Sequence, residues 1–145
     1  MPEATVVLIP AIFIGGLIGI VELFFVHADE MGMGWLGHGL HAIPATVIFT
    51  FISMNIGYVL ALVGNSNLVG SSGEIPIQVV WGVRIFIAIF AMLKISAAAA
   101  IVGRVGEKFP HTLMIGALVL AAPFFWDAAS VPLTNAMPFL NYKLF

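Results

Sequence analysis

Cysteine is absent from the 145 residues, and charge is scarce: five lysines and arginines and seven acids make 8% of the chain. Without cysteine there are no disulfides, no thiolate metal sites and no cysteine nucleophile, and the redox compartment stays open. The shortage of charge says more. A water-soluble domain carries about 25% charged residues, because its surface faces water. This chain cannot clothe itself that way, so its natural solvent is lipid. The net charge of −2 and the scattered bases leave no electrostatic footprint for nucleic acid. No Asn-x-Ser/Thr sequon occurs, so glycosylation offers no topology marker.

What is present is apolar: 61% of the residues are hydrophobic and the mean hydropathy is +1.13. A helix that crosses a bilayer core needs about 20 mainly apolar residues. Residues 5–26, 38–63, 75–102 and 112–129 each meet that length. They predict an all-α integral membrane protein, a four-helix bundle with short loops and a single membrane domain over residues 1–145. Residues 130–145 form an apolar tail in which Pro132 and Pro138 argue against a fifth span. That tail is expected to lie at the membrane interface or on a partner. "VHA" before Asp29 resembles a signal-peptide cleavage site, but "MPEAT" is uncharged by bases and Glu22 interrupts a run already too long. The first segment is therefore expected to remain as a span.

Four spans place the first and third loops on one face of the membrane. The third loop carries Arg104 and Lys108, whereas the opposite face has only Lys143. The positive-inside rule then puts both termini on the non-cytoplasmic side of this multi-pass protein. Small residues mark helix contacts: Gly15 and Gly19 form a G-x-x-x-G on the first helix, and Ala97 to Ala100 with Gly103 a patch on the third. Such residues let helices approach closely in lipid, within the bundle or between subunits.

The stretch "HADEMGMGWLGHGL" contains "GMGWLG", which satisfies the G-x-G-x-x-G pattern of dinucleotide loops. That pattern works between a strand and a helix of a βαβ unit. Here a lipid-length helix precedes it and no βαβ unit can be drawn, so no nucleotide is expected. A tight interfacial turn anchored by Trp35 explains the glycines better.

All four histidines fall on the same face, His27, His38 and His41 around the first loop and His111 after the third. With Glu22, Asp29 and Glu30 they supply ligand chemistry for a transition metal such as copper, zinc or iron. His38 and His41 share a side of a helix, and either offers an axial ligand for haem. No spacing among them matches a known metal motif, and plain interfacial solvation is the commoner reason for histidines there.

Glu22, Arg84, Lys94 and Asp127 lie within spans, where each costs about 2.5 kcal/mol or more at the helix centre unless paired or wetted. Depth pairs Arg84 with Asp127 and Lys94 with Glu22. Static pairs that fix register, or a proton or cation path through Glu22, fit this pattern equally. Thr46, Thr50, Ser53 and Gly57 line one side of the second helix. Small multidrug transporters share the span count and the acid in the first span, but none of their motifs matches "IGGLIGIVELFF".

Two function classes survive. One is an accessory subunit of a larger membrane complex, such as a redox or metal enzyme, not catalytic on its own because the loops leave no room for a catalytic domain. The alternative is a small oligomeric proton-coupled transporter or channel that uses Glu22, Lys94, Arg84 and Asp127. The partners expected are the lipid bilayer and other membrane subunits or further copies of the chain.

Overall fold

The computed structural model describes residues 6–29, 35–64, 68, 74–101 and 108–141. Among them are five α-helices, namely α1 (Leu8–Asp29), α2 (Trp35–Met54), α3 (Ile56–Leu62), α4 (Ile77–Ile101) and α5 (Phe109–Ala136), then a 3-10 turn at Pro138–Asn141. No strand occurs among the described residues. The protein is all-helical. Three helices, α1, α4 and α5, are long and apolar enough to cross a membrane. A fourth span exists if α3 is joined to the preceding Gly39–Met54 segment across a 93° bend.

Apolar residues surround each long helix, as expected where lipid replaces water on the outside. Inward-facing positions are small or branched except for Phe49: Ile14 and Ile18 of α1, Ala45 and Phe49 of α2, Ala91 and Ile95 of α4, and Ile115, Val119 and Ala122 of α5 form one core. Every long helix therefore contributes to the same buried cluster.

The tightest contact joins α1 to α2, and glycine makes it possible. A Cβ on Gly15 would stand 2.7 Å from Val47 Cα, and one on Gly19 would stand 2.6 Å from Thr46 Oγ1 and 2.9 Å from Ile43 Cα. The G-x-x-x-G pattern thus serves packing within the chain. Gly116 plays a similar part where α5 meets Met92 of α4. The side chains of Ala97 to Ala100, and Gly103 itself, lie outside the described residues.

Residues 38–63 are not one straight helix. α2 stops at Met54, and Asn55 adopts a non-helical conformation (φ −124°, ψ 42°). Its side chain competes with the helix for backbone partners. Asn55 Oδ1 accepts from Val7 N at 2.7 Å, while Nδ2 donates to Phe51 O at 2.9 Å and Val7 O at 3.4 Å. The break is thereby sewn to the start of α1. The end of the chain differs as well. α5 continues past the expected end at residue 129, through Pro132, to Ala136. Proline removes a single ladder donor, and Thr134 Oγ1 donates to Ser130 O at 2.7 Å in the same turn. Leu140 of the 3-10 turn is 1% exposed, folded back on the chain's own α1 and α5.

Candidate functional site

The C-terminal end of α1 meets the N-terminal end of α5, so these two helix ends occupy the same end of the molecule. Asp29, last residue of α1, joins them. Its carboxylate is 2% exposed and makes two hydrogen bonds and an ion pair. Lys108 N donates to Oδ2 at 3.1 Å, His111 Nδ1 meets Oδ2 at 2.6 Å, and Lys108 Nζ lies 3.1 Å from Oδ1. Lys108 makes no side-chain cap to α5, and Pro110 sits in the first turn, where its missing N–H is not needed. Asp29 therefore acts as the cap from another helix, and its charge complements the positive end of the α5 dipole.

A carboxylate is an acceptor, so its contact places the proton of neutral His111 on Nδ1 and leaves Nε2 as the lone-pair nitrogen. Phe25, one turn before Asp29, stacks on the imidazole at 4.3 Å with an 8° interplanar angle. The ring is held on both its edge and its face. This is how a carboxylate orients a histidine for proton transfer or for metal ligation through the other nitrogen. In that arrangement Asp29 orients a ligand and is not itself one.

The other expected ligands are dispersed. Glu22 is 1% exposed on α1, two turns before Asp29 and on the same side. His27 is half-buried, and His41 is exposed on α2. Glu30 and the side chain of His38 lie outside the described residues, as do Gly32 and Gly34. Gly37 and Gly39 belong to α2, not to a loop. Among the described residues no three histidine or acidic side chains converge closely enough to hold a metal ion.

Below Glu22 a polar row runs down α2. Thr46, Thr50 and Ser53 are at most 1% exposed and recur at helical spacing. Thr46 Oγ1 donates back to the Ala42 and Ile43 carbonyls as alternatives at 3.1 and 3.0 Å. Thr50 and Ser53 hydroxyls make no hydrogen bond among the described residues.

The intramembrane charges follow different contacts from those expected by depth. Arg84 does not form a direct ion pair with Asp127. Its Nε donates to Ser53 O at 3.4 Å, and its guanidinium sits 5.2 Å from the centroid of Phe124. Ser53 lies at the α2 break, where the helix no longer supplies the usual donor, and Arg84 takes that place. Lys94 is exposed on α4 whereas Glu22 is buried, and no ion pair joins them. Sequence reasoning missed Asn55 and Phe25 as organisers. An asparagine within an apolar run was the available signal for the first; the second had none.

Comparison with protein-family models, curated proteins and solved structures gives no match.

Proposed function

We propose that this chain is an accessory subunit of a larger membrane assembly, crossing the bilayer four times as a bundle of α1, α2, α4 and α5. The 20 residues of α2 reach about 30 Å unaided, so α3 need not cross. The observation that carries the reading is the outer face of α4. Of its apolar stretch 17% is buried within the chain, against 39% for α1. Ile85, Phe86, Ile89, Phe90 and Leu93 are exposed there, and Lys94 stands exposed beside them.

Lipid tails satisfy the apolar side chains but not the ammonium. Lys94 lies five residues beyond Ile89, the midpoint of Ile77–Ile101, which is about 7.5 Å along the axis. Reaching the headgroups from there takes nearly the full length of the side chain. A partner helix with a carboxylate opposite Lys94 covers the apolar face and the charge together. Purification in mild detergent tests this. A second chain at fixed stoichiometry is expected, retained by Lys94→Arg and lost with Lys94→Glu. A lone monomer or a pure homo-oligomer would contradict it.

One observation favours a second reading, an oligomeric proton-coupled transporter or channel. Glu22 is buried within a span above the hydroxyls of Thr46, Thr50 and Ser53. Proton uptake by reconstituted vesicles, abolished by Glu22→Gln, would select it over the subunit reading.

A further inference from the structure

At the opposite end of the molecule from Asp29, two charges flank an aromatic shelf. Trp81 of α4 and Phe124 of α5 stack at 5.6 Å with a 23° interplanar angle. They are 39% and 44% exposed, so the shelf is open on its outer side. Arg84 lies against Phe124 and gives one N–H to Ser53 O. The terminal nitrogens of its fork make no hydrogen bond among the described residues. Asp127 is exposed, and its carboxylate likewise accepts none there. Among the described residues no hydrogen bond or ion pair joins the two charges.

Their order in depth carries chemical information. α4 and α5 run antiparallel, with Trp81 and Phe124 at one level. Asp127 follows Phe124 by three residues, about 4.5 Å outward, and Arg84 follows Trp81 by three residues, about 4.5 Å inward. The backbone of Arg84 is thus the deeper and that of Asp127 the shallower. In a zwitterionic phospholipid the phosphate lies next to the acyl chains and the ammonium lies outward. The order of the two backbone positions follows the same sequence.

We propose that Arg84, Asp127 and the Trp81–Phe124 shelf form a binding site for a bilayer aminophospholipid. Arg84 holds the phosphate, Asp127 the ammonium, and the acyl chains run down the exposed apolar face beside Ile85. A guanidinium fork suits phosphate oxygens. Exposed tryptophan is at home at this depth, and its face also attracts the ammonium. An anionic lipid without an ammonium gains the first contact but meets Asp127 as an unanswered negative charge. The headgroup contacts use none of the residues on which the subunit reading rests; only the acyl chains meet the edge of that face, at Ile85.

Native mass spectrometry of the full chain in detergent, titrated with phosphatidylethanolamine or phosphatidylglycerol, tests the proposal. One phosphatidylethanolamine should bind with about tenfold preference over phosphatidylglycerol, the worth of one charge-assisted contact. Asp127→Asn should erase the preference, leaving phosphatidylglycerol bound equally well or better. Asp127 makes no side-chain hydrogen bond or ion pair among the described residues, so that variant keeps the test valid if Arg84→Gln disturbs the α2 break. Arg84→Gln in a folded protein should weaken both lipids. Equal binding of the two lipids by the unmodified chain, or an unchanged preference in Asp127→Asn, would overturn the assignment. Displacement of the lipid by soluble phosphoethanolamine at equal concentration would overturn the bilayer source.

Discussion

Asp29 illustrates how much a single side chain can organise. Two of its contacts are to groups that need it: the amide at the start of α5, and the Nδ1–H of a half-buried imidazole. The third, to the Lys108 ammonium, belongs to a side chain that is 70% exposed, where water screens an ion pair. The cap and the histidine therefore outweigh the salt bridge. Asp29→Ala should lower unfolding stability in detergent by about 1–2 kcal/mol, the usual loss for a cap, whereas Lys108→Ala should leave it nearly unchanged. Equal losses in thermal melts of the two variants would contradict this division. Arg84 teaches the same lesson from the other side. That Arg84 and Asp127 lie toward the same end of antiparallel α4 and α5 was readable in the sequence by counting. That Ser53 O and Phe124 would capture Arg84 was not readable, since it depends on a carbonyl released by a helix break 31 residues away in the chain, which leaves no mark in the spacing.

At the level of elements, apolar runs reveal spans because lipid demands about 20 residues of them whatever the packing. The same cause hides the break at Asn55. Inside "SMNIGYVL" the run stays apolar on both sides, and only the contacts of Asn55 to Val7 show why α2 ends there. The continuation of α5 to Ala136 was hidden for a related reason: proline weakens a helix by one donor, and neighbouring contacts decide whether it continues. The glycine pairing of α1 with α2 was legible as a motif, but not its partner. It makes a sharp expectation. Gly19→Val must push against Thr46 Oγ1 and the backbone at Ile43, and overpacking of this kind costs about 1–3 kcal/mol. Gly16, with nothing within 4 Å of its would-be Cβ, should accept alanine with no loss and a small gain in helix propensity. Melting temperatures of the two variants in one detergent give the answer, and similar losses in both would mean that α1 does not meet α2 through Gly19.

For the whole molecule, the histidine and acid ligand set read from the sequence was legible only as a shared face. The structure brings Asp29 and His111 together, and leaves His41 exposed and Glu22 deep on α1. Proximity in sequence could not show that Asp29 would be spent on capping α5. The outer face of α4 was equally invisible, because an apolar helix in a membrane gives no periodicity that separates lipid-facing from protein-facing residues. Its exposed lysine is what turns that face into a claim about a partner. A photo-crosslinking residue placed at Phe90, on the α4 outer face, in native membranes tests the claim most directly, with Ile12 on the exposed side of α1 as the control. The account predicts one crosslinked product of fixed mass from Phe90, containing a second kind of chain, weakened by Lys94→Glu, with no such product from Ile12. Crosslinks to lipid alone from Phe90, or the same products from both positions, would contradict it.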